Sequence, residues 1–174
     1  MTEQEKKFLE VCNKGNLIEI KILIKAGMDP TALDNYAINI ASRYGYLDVV
    51  EYLLKNHRVN PSSQGNYSIK MASRYGHTKI VELLLKDSRV DPTDQNNYAI
   101  REAARNGHLE VVKLLLQDPR VDPSDLYNYA IRWAAYYKHF EIVKILFQDE
   151  RVKSLLSLED LKKYIKIIKE SKNE

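Results

Sequence analysis

The sequence predicts an all-α solenoid of stacked helix pairs, and three observations carry that prediction. The first is a strict period of 31 residues: Asn-Tyr-(Ala/Ser)-Ile begins at Asn35, Asn66, Asn97 and Asn128, and an (Asp/Asn)-Pro pair at Asp29, Asn60, Asp91 and Asp122. Gly45, Gly76 and Gly107 keep the interval, which breaks at Lys138, while His77, His108 and His139 follow in step. Several independent series in one register mark a repeat array. The second is helical apolar spacing: Leu47, Val50, Leu53 and Leu54 fall at i, i+3, i+6 and i+7. The third is length. Neither helix of a repeat is long enough to be stable alone in water, so each must bury its apolar face on a neighbour.

The elements follow in order. Residues 1–30 read as an N-terminal cap repeat, a shortened helix pair lined by Phe8, Val11 and Cys12 and then by Leu17, Ile20, Leu23 and Ile24. Thr2 and Glu5 have the spacing of a capping box. Four repeats, 31–61, 62–92, 93–123 and 124–154, each begin their first helix at the repeat tyrosine, and the first three end it at the glycine, a residue suited to the left-handed conformation. Ala41 and Ser42 are small enough for close helix approach. The second helix starts at Leu47, Thr78, Leu109 and Phe140, with Asp48, Glu110 and Glu141 in the first turn, where negative charge suits the helix dipole. Segments such as Arg89-Val90-Asp91-Pro92 turn the chain, because proline disfavours helix at the preceding residue. Residues 155–174 read as a capping helix with Ser157 and Asp160 at its start and Leu158, Leu161, Ile165 and Ile168 on one apolar face. The whole chain, 1–174, is expected to be a single domain.

Composition bounds what such an array can do. The 174 residues are 44% hydrophobic and 29% charged, an ordinary folded composition without a membrane-length apolar run or a secretory leader. A single cysteine, Cys12, excludes an internal disulfide framework and fits a reducing compartment. The net charge of +3 comes entirely from residues 151–174, with seven basic side chains against four acidic; the rest balances at 20 against 20. That balance disfavours nucleic acid, whose binding needs a strong basic excess.

The motifs resemble ankyrin repeats. The family's T-P-L-H-x-A-A-x-x-G-H pattern aligns with Tyr36 to Tyr46, and its V-V-x-L-L-L run with Val111 to Leu116. The resemblance covers residues 1–150 and implies an ankyrin-repeat solenoid with helical caps at both ends. Thr-Pro has become Tyr-Ala or Tyr-Ser, and the family's histidine position holds Asn39, Lys70, Arg101 and Arg132. The stretch from Asp29 to Tyr36 is shorter than the family's, which implies short loops with stunted β-hairpins. This Asn-Tyr-Ala-Ile form is similar to repeats abundant in large DNA viruses that infect amoebae, which implies an intracellular, cytoplasmic location in a host and a host protein as partner.

The residues that could carry chemistry have simpler structural roles. His77, His108 and His139 sit one repeat apart, and helices packed roughly 8–10 Å apart cannot place them on one zinc at about 2 Å. They read as structural groups at the turn into the second helix. Cys12 occupies a small-residue core position, and no phosphate loop, nucleophile elbow or paired-carboxylate motif occurs. No enzymatic activity, cofactor, metal or small-molecule substrate is expected. The tyrosines Tyr36, Tyr67, Tyr98 and Tyr129 read as packing between repeats, and the asparagine before each as a turn or N-cap residue.

By the resemblance, the two residues before the helix-ending glycine face a concave groove: Arg43-Tyr44, Arg74-Tyr75, Arg105-Asn106 and Tyr136-Tyr137. The variable first-helix position, Ile40, Met71, Glu102 and Trp133, borders it. Arg, Tyr and Trp are the types enriched at binding hot spots, and Arg43, Arg74 and Arg105 form a basic row suited to carboxylates. The expected partner of these residues is another protein, bound by a monomer away from membranes. The alternatives are polyanion binding through the arginine row and basic C-terminal helix, or self-association.

Overall fold

The computed structural model describes residues 2–170, which form twelve helices and no strand. They divide into two compact units, Met1–Asp91 and Pro92–Glu174. In the first unit, α1 (Glu3–Lys14) and α2 (Leu17–Lys25) form the cap pair, followed by α3 (Ala32–Tyr44) with α4 (Leu47–Leu54) and α5 (Ser63–Arg74) with α6 (Thr78–Leu85). First helices lie on first helices, α1 on α3 and α3 on α5, and α4 lies on α6. The second unit repeats the arrangement with α7 (Asp94–Arg105), α8 (Leu109–Gln117), α9 (Asp125–Tyr136) and α10 (Phe140–Leu146), closed by α11 (Glu150–Ser154) and α12 (Leu158–Glu170).

The core of each unit is the small face of the first helices and the apolar stripe of the second. Ala37, Ile38, Ala41, Val50 and Leu53 are buried in the first unit, and Ala99, Ile100, Ala103, Val112 and Leu115 in the second. At about 1.5–3 kcal/mol per fully buried large side chain, this burial is what makes such short helices persist. Val49, Ile80, Val111 and Ile142 are buried too, one position outside the expected stripe. At that position the cap helix α2 carries Glu19, half-buried and within 3.7 Å of Lys7.

The predicted caps form. Thr2 Oγ1 accepts from the Glu5 amide at 3.1 Å while Glu5 accepts from the Thr2 amide at 2.6 Å. Ser157 Oγ accepts from the Asp160 amide at 3.1 Å at the start of α12. The apolar face of α12 is rotated from expectation. Leu158 and Ile165 are exposed, and the buried residue is Tyr164, whose ring lies 6.3 Å from that of Phe147. Sequence spacing alone could not choose, because Leu161 and Ile168 border both stripes.

The expected stunted hairpins are absent. In their place each repeat has an Asx turn followed by three residues at positive φ: Leu33, Asp34 and Asn35, then Gln64, Gly65 and Asn66, Gln95, Asn96 and Asn97, and Leu126, Tyr127 and Asn128. Too few residues remain between proline and tyrosine to run out and back as strands. The Asx turn is explicit: Asp29 Oδ1 accepts from the Thr31 amide and hydroxyl, both at 2.9 Å, and Asn60 and Asp122 do the same for Ser62 and Ser124.

Candidate partner-binding site

Three recurring side chains fix the helix ends that carry the candidate residues. The first is the repeat asparagine, which is a left-handed turn residue and not an N-cap. Its Oδ1 accepts the amide of the next (Asp/Asn)-Pro turn: Asn35 from Asn60 at 2.7 Å, Asn66 from Asp91 at 2.8 Å, and Asn97 from Asp122 at 2.9 Å. The second is the residue at the family's histidine position, which donates to carbonyls of the left-handed turn. Asn39 reaches the Asp34 carbonyl at 3.4 Å, Arg101 those of Asn96 and Gln95 at 2.7 and 2.9 Å, and Arg132 that of Tyr127 at 3.3 Å. A donor side chain here satisfies carbonyls that a hairpin would have paired in a ladder.

The third is the ring after the helix-ending glycine. His77 Nε2 lies 3.0 Å from the Arg43 carbonyl, His139 Nε2 3.0 Å from that of Arg105, and the Tyr46 hydroxyl donates to the Asn13 carbonyl at 2.9 Å. Each ring covers the glycine of the preceding repeat so closely that a Cβ on Gly15, Gly45 or Gly107 would fall 2.6–2.7 Å from it. His77 and His139 are thereby helix-end ligands. Among the described residues no group of His, Cys, Asp and Glu could hold a metal ion. Cys12 is buried, and desolvation pushes its thiol up to about 12, far from a reactive thiolate.

On this frame the arginines and aromatics interleave. In the first unit the Arg43 guanidinium lies 5.7 Å from the Tyr44 ring centre and 5.8 Å from that of Tyr75 in the next repeat, and Arg74 lies 6.0 Å from Tyr75. Arg43 also donates to the Tyr67 hydroxyl at 3.2 Å. In the second unit Arg105 lies 5.1 Å from Trp133 and 5.9 Å from Tyr137. Trp133, Tyr136 and Tyr137 form a mutual cluster with ring centres 5.0–5.7 Å apart. Within each unit, each of these arginines thus lies against a ring.

The candidate residues divide by exposure. Tyr44, Arg74, Tyr75, Asn106, Tyr136 and Tyr137 are exposed or half-buried at the surface, and Arg43, Arg105 and Trp133 are half-buried. Glu102 is the exception: it is only 5% exposed, buried beneath the surface, with its carboxylate 3.7 Å from Arg105. Asn106 is turned back onto the Glu102 carbonyl at 2.7 Å, closing the helix end. Sequence reasoning missed the Asp-x-Arg clamps. Arg89 grips Asp87 at 2.6 Å and donates to the Val59 carbonyl at 2.8 Å, and Arg151 grips Asp149 at 2.7 Å and donates to the Val121 carbonyl at 2.8 Å. Their signal was present as Asp87-Ser88-Arg89, Asp118-Pro119-Arg120 and Asp149-Glu150-Arg151, again every 31 residues.

Comparison with known proteins agrees with this architecture. No curated protein matches the chain significantly. A family model described as "Ankyrin repeats (3 copies)" matches residues 8–96 and again residues 69–155. Most of the sequence lies within those two matches, and the helix pairs fall in their register: the chain belongs to the ankyrin repeat family.

Proposed function

We propose that the chain is a non-enzymatic protein-interaction module that holds a partner protein, and that Arg43, Tyr44, Arg74 and Tyr75 in the first unit and Arg105, Asn106, Trp133, Tyr136 and Tyr137 in the second touch it. The observation that supports this is the interleaved stack of exposed tyrosines and guanidinium groups at one register of successive repeats. Rings and cations already ordered by stacking lose little conformational entropy on binding, and Trp, Tyr and Arg are the residues whose truncation most weakens interfaces. The likeness of the 31-residue repeat to those of amoeba-infecting viruses makes a host protein the partner to seek.

The test is affinity capture from host-cell lysate with mass spectrometry, comparing the chain with an Arg74→Glu plus Tyr137→Ala variant. Both side chains are exposed, so circular dichroism should be unchanged while the captured partner is lost. Capture unaffected by both changes contradicts the assignment of these residues.

A further inference from the structure

The second unit holds a pocket of about 600 Å³ between α9, with the left-handed turn near its start, and the closing segment of Leu155 and α12. Tyr127, Trp133, Tyr136, Leu155 and Tyr164 give it a largely aromatic wall, and Arg132 and Lys163 bring positive charge to it. Its one carboxylate, Asp160, is committed to the α12 cap, its Oδ2 accepting from the Ser157 hydroxyl at 2.7 Å. Neither Arg132 nor Lys163 has a carboxylate partner among the described residues, whereas Lys144, Arg151 and Lys153 of the same unit each pair with one. Arg132 donates to the Tyr127 carbonyl at 3.3 Å, and Lys163 lies 5.6 Å over the Tyr164 ring.

Tyr127 is an independent pointer. It sits at φ 56 in the left-handed turn, where the equivalent residues of the other repeats are Asp34, Gly65 and Asn96. Those types tolerate positive φ; an aromatic side chain does not. Nor does packing within the chain compensate, because Tyr127 is 85% exposed. The short turn imposes positive φ in every repeat; what sets this one apart is the large ring it holds out at the mouth of a pocket.

We propose that this pocket docks an acidic peptide segment, taking one large apolar side chain against Trp133, Tyr136 and Tyr127 and the neighbouring carboxylate against Arg132 and Lys163. The inference rests on the reading of the chain as a protein-interaction module and names the chemistry that one part of it recognises. Aromatic walls beside two cations without carboxylate partners among the described residues suit that combination better than either a neutral or a basic segment.

Trp133 is the one tryptophan of the chain, so its fluorescence reports on the pocket directly. The full chain would be titrated with the peptide acetyl-Glu-Leu-Glu-Leu-Glu-amide and with the same peptide carrying Gln for Glu. The acidic peptide should shift the emission saturably, and the neutral one should bind about tenfold more weakly or worse. Lys163→Glu and Lys163→Gln should each weaken the acidic peptide, the first by about tenfold. Lys144→Glu, the same charge change outside the pocket, should alter it by less than about twofold. Tyr127→Asn should weaken binding while helical content stays, since Asn96 already occupies the equivalent position. Equal binding of both peptides, or equal weakening by Lys144→Glu and Lys163→Glu, overturns the proposal. So does a stronger response to an oligothymidylate than to the acidic peptide, which would mark a polyanion site. If the peptide titration is blank while Arg74→Glu plus Tyr137→Ala still abolishes partner capture, the pocket falls and the broader surface stands. If the pocket titrates while capture is insensitive to that double variant, the pocket stands and the broader surface falls.

Discussion

At the scale of single residues, the repeat shows where an atom is satisfied and where it is not. The Ser42 and Ser73 hydroxyls are fully buried with no hydrogen-bond partner, at positions where the other repeats have Ala104 and Ala135. Burying a hydroxyl unpaired is unfavourable, so Ser42→Ala and Ser73→Ala should each stabilise the fold by about 1 kcal/mol in chemical denaturation. A loss of stability would show that those hydroxyls are paired in solution. Asn128 marks the end of the asparagine series. Its Nδ2 donates to the Val152 carbonyl at 3.0 Å, but its Oδ1 is buried without a donor, because the segment after α10 enters α11 instead of another Asp-Pro turn. Cys12 needs no partner, only exclusion from water. A thiol reagent at neutral pH should label it no faster than the chain unfolds, and rapid labelling of the native protein contradicts its burial.

Elements are held by their ends more than by their lengths. Gly45 sits at φ 81 directly beneath the His77 ring. Gly45→Ala must therefore adopt a left-handed backbone and displace the ring, and should destabilise by about 2 kcal/mol or more. Lys138 occupies the same register at φ 62 in the last repeat. There only the backbone preference operates, so Lys138→Gly should be stabilising, the opposite sign at an equivalent site. The clamp carboxylates Asp87, Asp118 and Asp149 are held below the usual carboxylate range chiefly by the hydrogen-bonded arginine beside each. A carboxyl depressed in the folded state contributes stability above its unfolded pKa, and that contribution is lost as pH falls through the folded value. Arg89→Met should thus destabilise at neutral pH, with the difference from the parent shrinking as pH drops below about 4. A pH-independent difference would mean that the arginine acts through packing alone.

For the molecule as a whole, what the sequence made legible was whatever repeats. The helix pairs, the glycine ends, the alanine and leucine core, and both caps follow from period and spacing. The left-handed turns did not, since Leu33, Leu126 and Tyr127 have no local preference for positive φ and adopt it because the short connection must close. The rotation of α12 onto Tyr164 and the burial of Glu102 were hidden for a related reason: each is decided by what lies opposite, not by the residue's own neighbours in sequence. The candidate surface was legible as residue types but not as a stack, because Arg43 meets Tyr75 and Arg105 meets Tyr137 only across a repeat.

The claim on which the functional account depends is that a protein partner lies along the C-terminal ends of the first helices. Amide hydrogen exchange of the chain alone and in complex with its captured partner tests this most directly. The account predicts slowed exchange in residues 40–46, 71–77, 102–108 and 133–139, with the outer faces of α4, α6 and α8 unchanged. Protection confined to those second helices, with the first-helix ends exchanging as in the free chain, would contradict it.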